Sequence, residues 1–267
     1  MGFLLANRIP IRQASHQAGL RKACGLARDI LLRTAEVVKA GVTTKEVDQF
    51  AASEIKASGC TSAFLGYRGF PGNICISMNE EIVHGIGGSR VISDGDVVKI
   101  DIGVFHDGWV GDNALTVPVG NVSPDVLRLL AATEESLHVA INHARDGEML
   151  GTLCASVEEH VLKYGYTVVR EFVGHGVGRK LHEEPQVPNY GTKGGRPRLK
   201  AGMALAIEPM VNLGTAKMRV LADGWTAVTQ DRKPSAHYEH VVLVTTGEPE
   251  VLTWRDKMFP GGVASIG

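Results

Sequence analysis

The sequence lacks any long apolar run, which argues against a membrane protein. No stretch approaches the ~20 consecutive apolar residues that a membrane-spanning helix needs. Near the start, the apolar residues 3–6 are interrupted by Asn7 and Arg8, well short of the roughly 7–15-residue core of a signal peptide. We therefore expect a cytoplasmic protein with no membrane partner.

Paired cysteines and excess charge are also missing. The 4 cysteines contain no CxxC pair, so neither a disulfide framework nor a zinc ribbon is expected, and free thiols fit a reducing compartment. The formal net charge is only -1, so the overall field does not favour a nucleic-acid partner. We expect a monomer.

What the sequence does contain is enough apolar residues for a large core and a repeated order of elements. Of 267 residues, 44% are hydrophobic. Hydrophobic periodicity, caps and turn residues predict two helices followed by strands, and then the same order again. The predicted helices cover Gln13 to about Ala40, a segment capped by Thr43, a segment capped by Ser123 and ending near Ala144, and Leu150–Tyr164. The predicted strands are 74–78, 97–102, the arms of hairpins turning at 107–108 and 223–224, Tyr166–Val173, Met203–Asn212 and Tyr238–Thr245, with 191–198 as an exposed loop.

This repetition predicts an α+β protein of two related halves. We expect one catalytic domain over residues 1–267, with a short lead at 1–12 and halves at roughly 13–120 and 121–253. A site built from both halves would lie at their seam.

Asp101 and Asp112 are the first candidates for that site. If Asp107 and Gly108 form a two-residue turn, residue 101 faces residue 114, and the two aspartates become diagonal neighbours on one face. Asp101 lies in an otherwise apolar strand, where an unpaired carboxylate is costly. Lys99 is expected to point to the opposite face, so a metal ion is the better partner, although an ordinary acidic hairpin face stays an alternative.

Two histidines flank a glycine-rich turn further along the chain. Glycines on both sides of His175 let the backbone bend so that the imidazole can enter a cleft, and His182 follows the same turn. A histidine satisfied by ordinary hydrogen bonds remains the alternative for each. Glu183 and Glu184 are interpreted as solvated charge.

Glu208 and Glu239 complete the set of candidate ligands. Each lies in an apolar strand, where either a metal or a structural ion pair would satisfy it. Together with Asp101, Asp112 and His175 they provide four negative charges and one imidazole, which two divalent cations would balance. Such paired sites activate water for hydrolysis, and this mixture of oxygen donors with one imidazole suits Co, Mn, Fe or Zn.

The candidate ligands, in their order along the chain, resemble those of the methionine aminopeptidases and, more broadly, of the pita-bread metallopeptidases. The resemblance extends over nearly the whole chain, from about Gln13 to Thr253. The resemblance implies a pita-bread fold of two pseudo-symmetric α+β halves with mostly antiparallel sheet. The motifs that carry it are the segments 79–85, the hairpin 101–112, 174–178, 182–185, 207–210 and 238–240.

The resemblance also implies a role for each residue. Asp101 would bind one metal, His175 and Glu208 the other, and Asp112 and Glu239 both. Glu208 would also shuttle a proton, His84 would contact the scissile amide, and His182 would stabilise the oxyanion. A methionine pocket would be formed by Phe64, Tyr67, Phe70, Leu181 and Trp225, with core packing as the alternative for these side chains.

Three positions depart from the commonest bacterial pattern of this family. Phe64 replaces a frequent cysteine, Asn113 a usual threonine, and Ala206 a frequent hydroxyl residue. No metal ligand is lost, so these changes affect the shape of the pocket and the surroundings of the ligands.

The expected function is removal of the initiator methionine from nascent polypeptides with a small second residue, near the ribosome. The short interval between His182 and Glu208 indicates the type I form, since the type II enzymes carry a large insertion there. An X-Pro aminopeptidase or prolidase would share all the ligands, and a metal-free scaffold is a non-enzymatic alternative.

Overall fold

The computed structural model of the protein describes residues 9–254. Residues 3–6, the interruption at Asn7 and Arg8, and most of the predicted lead therefore lie outside the described residues. None of the helices within 9–254 combines the length and the apolar character that crossing a membrane would require.

The helices begin and end close to the predicted positions. Thr43 caps its helix in the predicted capping box, because its side chain accepts from the Glu46 amide while the Glu46 carboxylate accepts from the Thr43 amide. Ser123 is at the predicted N-cap, although its side chain makes no capping hydrogen bond. The first helix stops earlier than predicted, at Glu36. The helices are α1 (Ala14–Glu36), α2 (Thr44–Ala57), α3 (Pro124–Ile141) and α4 (Leu150–Leu162).

The strands are short apart from one long hairpin. They are β1 (Thr61–Ser62), β2 (Cys75–Met78), β3 (Val97–His106), β4 (Trp109–Pro118), β5 (Thr167–Val168), β6 (Gly174–Gly176), β7 (Glu183–Val187), β8 (Ala204–Ile207), β9 (Met210–Asn212), β10 (Met218–Val220), β11 (Ala227–Thr229), β12 (Ser235–His237), β13 (His240–Leu243) and β14 (Glu250–Val251).

Two main sheets carry the fold, and the pairings between these strands are antiparallel. In the first, β3 pairs with β4 on one side and with β1 and β2 on the other. In the second, the order is β14, β13, β8, β6 and β7. Smaller sheets join β12, β9 and β5, and β10 with β11, the second of these being the hairpin predicted around Asp223 and Gly224.

The helices cover the sheets in two groups. α1 packs against β3 and β4 and also contacts α2, whereas α3 packs against α4 and against β8, β9 and β12. Apolar side chains from both groups, including Ile30, Ile100, Leu137 and Leu205, are fully buried in one large core. The strand ends that carry the candidate site residues are thereby fixed on a packed scaffold.

Three strand predictions were too long, and one of them is 238–245, of which only His240–Leu243 form a strand. Residues 166–173 pair only at Thr167 and Val168 before the chain leaves the sheet. The predicted strand 203–212 is broken between β8 and β9 at Glu208 and Pro209, since proline has no N–H to donate to a ladder. This break lets the Glu208 side chain leave the regular alternation of the strand.

Candidate metal centre and substrate pocket

The β3–β4 hairpin presents two aspartates on one face. The predicted register is confirmed: His106 pairs with Trp109, Asp101 with Ala114 and Gly103 with Asp112. Residues two apart in a strand share a face, so Asp101 and Asp112 are diagonal neighbours. Lys99 shares that face too, so the expectation that it points to the opposite one is wrong. Its ammonium is held instead by the carbonyls of Asn79 at 2.7 Å and Ser235 at 3.0 Å.

The second sheet brings the remaining candidate ligands to this hairpin. His175 lies on β6 and pairs with Ala206 of β8, one residue before the strand ends and two before Glu208. Glu239 precedes β13, and its backbone N–H donates to the carbonyl of Ala114 at 3.0 Å, the residue opposite Asp101. This hydrogen bond connects the strand that follows Glu239 to the aspartate hairpin.

The side-chain atoms meet at close range. The Nε2 atom of His175 lies 3.8 Å from Oδ2 of Asp112 and 3.6 Å from Oε1 of Glu208. Asp112, His175 and Glu239 each offer a ligand atom, and these atoms lie within 4.8 Å of one another. Such spacing allows the three groups to bind a common cation.

The hydrogen bonding of the carboxylates fits a metal centre. Oδ1 of Asp101 and Oδ1 of Asp112 are buried and find no hydrogen-bond partner among residues 9–254. Burial raises the pKa of Asp101 well above its usual range, and the charge of Asp112 adds to this. Burial also raises the pKa of Asp112 to about 7, and the pKa of Glu208 rises for the same reason with both aspartates nearby. A divalent cation would offset the cost of burying these charges, because it favours the ionised form of every carboxylate.

His175 is arranged as a neutral ligand. Its Nδ1 lies 3.0 Å from the carbonyl of Gly176, an arrangement that places the proton on Nδ1 and leaves Nε2 facing the carboxylates. Burial lowers the pKa of His175 to about 3, with His182 adding to the effect. The imidazole is therefore uncharged at neutral pH and can donate its lone pair.

A single cavity of about 310 Å³ is lined by every site residue predicted from the sequence. The aromatic wall includes Phe70 and Trp225, which meet edge to face at 5.2 Å between ring centroids. Phe64 lies over Gly103, where any Cβ would clash with its ring at 2.5 Å. This close approach explains why the aspartate strand has a glycine between its buried positions.

The two remaining histidines lie at different depths. His84 is held edge to face against Phe172 at 4.9 Å, and burial lowers its pKa to about 4. His182 is more exposed, and its Nδ1 lies 2.8 Å from the hydroxyl of Tyr67. Both imidazoles line the cavity beside the candidate ligands.

The interpretation of Glu183 as solvated charge is wrong. Its carboxylate forms an ion pair with Arg12, and the two side chains are only 9% and 10% exposed. The other oxygen accepts from the backbone N–H groups of Arg179 at 2.9 Å and Lys180 at 3.1 Å. Glu183 therefore fixes the turn that carries His182, whereas its neighbour Glu184 is exposed as predicted.

Several pocket residues were missed by sequence reasoning. Cys75, Arg68, Glu171 and Phe172 also line the cavity. Phe172 could have been found, because it directly precedes the glycine turn around His175. The others carry no comparable local signal.

Comparisons with known proteins agree with this geometry. The pattern of metallopeptidase family M24 matches residues 18–246. Methionine aminopeptidase 1 of Bacillus subtilis is 51% identical over 216 residues, covering 81% of this chain and 87% of that protein. The methionine aminopeptidase of Clostridium perfringens is 45% identical, covering 88% of this chain and 94% of its own length.

Solved structures of a methionine aminopeptidase and a prolidase have a similar fold. The methionine aminopeptidase of Thermotoga maritima superposes with a TM-score of 0.91 at 39% identity, covering 93% of this chain and all of that one. The prolidase of Pyrococcus furiosus gives a TM-score of 0.75 at 23% identity, covering 94% of this chain but 66% of its own. The similarity to the prolidase shows the fold alone, and this fold is the one predicted from the sequence.

Proposed function

The chain belongs to metallopeptidase family M24, and from this premise we infer that it is a metal-dependent aminopeptidase that removes N-terminal methionine. The observation that carries this inference is the meeting of Asp101, Asp112, His175, Glu208 and Glu239 in one cavity with an aromatic wall. Prolidase-type relatives share the fold at much lower identity, so methionine is the favoured substrate.

We propose that the divalent metal is bound as a pair of ions. Four carboxylates and one neutral imidazole line the same cavity, and a single ion would leave an excess of negative charge there. Asp101 would hold one ion, His175 and Glu208 the other, and Asp112 and Glu239 both. The ions would polarise the substrate carbonyl and make a water nucleophilic at neutral pH. Co, Mn, Fe or Zn would suit these donors.

We propose that Glu208 moves the proton during hydrolysis. The reaction breaks the C–N bond after methionine, adds the hydroxyl of one water to the methionine carbonyl carbon, and gives a proton to the leaving amine. Glu208 would take the proton from the water and return it to that amine.

The two histidines would act on the substrate amide. Burial keeps His84 uncharged, which suits a hydrogen bond to the scissile amide. If the Tyr67 hydroxyl donates to Nδ1 of His182, the proton of that imidazole lies on Nε2, the tautomer that can donate to a developing oxyanion.

The aromatic wall would bind the methionine side chain. Phe64, Phe70, Tyr67, Leu181 and Trp225 offer apolar and aromatic surface, against which a thioether gains dispersion and sulfur–aromatic contact. We propose a small second residue in the substrate, as in the resembling family. The substrates would be nascent polypeptide N-termini near the ribosome, which places the reaction in the cytoplasm, with the enzyme acting as a monomer.

Release of free methionine from Met-Ala-Ser across a panel of added divalent metals tests this function. We expect release with at least one metal, none after chelation, slower release from Met-Leu-Ser, and little cleavage of an Ala-Pro peptide. The variant Glu208→Gln should be inactive, whereas Glu248→Gln, which changes an exposed glutamate, should match the wild type. Lack of methionine release with every metal, or preferential Ala-Pro cleavage, would rule the assignment out.

A further inference from the structure

We propose that His237 is a positioning residue for Glu208: its imidazole holds the Glu208 carboxylate in the orientation from which this group moves the proton. The proposal rests on the function given above and adds a residue outside the predicted set. His237 does not line the cavity, so it would act through Glu208 and not on the substrate.

The first support is a buried polar atom in need of a partner. His237 is 1% exposed, and its Nε2 finds no hydrogen-bond partner among residues 9–254. Oε2 of Glu208 lies 3.6 Å from this nitrogen, just beyond hydrogen-bond length. An unsatisfied buried donor is unfavourable, and hydrogen bonds in active sites are often long before the ligands are bound. A small closure would therefore satisfy both groups.

The second support is the arrangement of the carboxylate between two imidazoles. Oε1 of Glu208 lies 3.6 Å from Nε2 of His175, a candidate metal ligand, and Oε2 lies 3.6 Å from Nε2 of His237. The backbone carbonyl of Glu208 is held by the Asn189 side chain at 3.0 Å. One oxygen thus faces the metal side and the other faces His237, which defines the rotation of the carboxylate.

The third support is the rigidity of the strand that carries His237. Its backbone N–H donates to the Thr116 hydroxyl at 3.0 Å, and the same hydroxyl donates to the His237 carbonyl at 2.8 Å. Two residues earlier, the carbonyl of Ser235 is held by Lys99. A neutral imidazole offers one N–H donor. A donor on so fixed an element can orient a neighbouring carboxylate.

The test compares three substitutions at this position. Gln keeps an N–H near the original Nε2, Asn keeps polarity but is too short to reach Glu208, and Leu removes the donor. For His237→Leu and His237→Asn we expect kcat for Met-Ala-Ser to fall roughly tenfold or more with KM within about twofold, and metal affinity measured by calorimetry to weaken by about tenfold. His237→Gln should recover most of both quantities.

His160→Leu is the control, since this histidine lies on α4, its Nε2 is 3.2 Å from Oε2 of Glu135, and it does not line the cavity. It should keep wild-type kcat and metal affinity. If the wild type releases methionine but His237→Leu or His237→Asn equals it in kcat and metal affinity, the positioning role is refuted. Equal impairment of the Gln, Asn and Leu variants would refute it as well, because a packing defect would then explain the loss. Inactivity of the wild type itself with every metal would instead refute the proposed function.

Discussion

The imidazole of His84 shows how local backbone and burial define a single site residue. His84 has a left-handed φ of 59°, which is uncommon for a residue other than glycine. The following Gly85 lies so close to the neighbouring strand that a Cβ would come within 2.1 Å of the Ile76 carbonyl oxygen. The chain therefore turns tightly here and directs the imidazole into the cavity, where burial keeps it neutral.

Replacing His84 by alanine should separate substrate contact from metal binding. His84 is not one of the candidate ligands, so metal content measured by elemental analysis should stay at the wild-type value. The kcat for Met-Ala-Ser should fall roughly 10²–10⁴-fold, the range of a lost proton-transfer or amide contact. His106→Ala, at the outer end of the hairpin, should keep normal turnover. Loss of metal from His84→Ala would show that the assignment of its role is wrong.

At the scale of elements, the aspartate hairpin was predictable and the second-half strands were less so. An Asp-Gly turn sets the register of a two-residue hairpin by local rules, and these rules predicted that Asp101 and Asp112 are diagonal neighbours on one face. The predicted strand 166–173 fails because an extended, apolar segment reveals nothing about whether a partner strand is present. Its last residues leave the sheet to line the cavity.

The candidate ligands were predicted from local sequence signals, whereas the missed residues depend on partners that are distant in the sequence. A carboxylate among apolar neighbours signals an unusual partner in the sequence itself, which is how Asp101, Glu208 and Glu239 were identified. Glu183 gives no such signal, since its partner Arg12 is 171 residues away. His237 was missed for a similar reason, because only the fold brings it to Glu208.

The turn held by Glu183 gives a prediction about stability. Glu183→Gln should leave the buried Arg12 guanidinium without its counter-charge, and breaking such a pair costs about 3–5 kcal/mol. Urea unfolding measures this loss. The matched change Glu184→Gln, at the exposed neighbour, should stay within about 0.5 kcal/mol of the wild type. If the two variants unfold alike, the ion pair does not stabilise the turn.

At the scale of the whole molecule, the candidate metal centre joins distant parts of the chain. Asp101 and Asp112 come from the first main sheet, while His175 and the residues flanking β8 and β13 belong to the second. Burial raises the pKa values of Asp101, Asp112 and Glu208, and for Asp101 and Glu208 the negative charge of neighbouring aspartates adds to the effect. Keeping these carboxylates ionised in the metal-free fold would therefore cost free energy, and a bound divalent metal would offset that cost.

This balance predicts that one substitution stabilises the protein without metal and destabilises it, relative to the wild type, when metal is bound. In the presence of chelator, Asp112→Asn should be more stable than the wild type by about 1 kcal/mol or more, because one buried charge is removed while the shape is kept. With a saturating divalent metal the order should reverse, since bound ligand stabilises the native state by about 2.7 kcal/mol at a hundredfold excess over Kd. Thermal unfolding of the wild type and of Asp112→Asn, each with and without metal, measures the four stabilities. Asp107→Asn, whose side chain is 89% exposed at the turn of the same hairpin, should show neither effect. A variant that is less stable than the wild type in chelator would mean that Asp112 is satisfied by the protein alone, and the charge argument for a cation at this centre would fail.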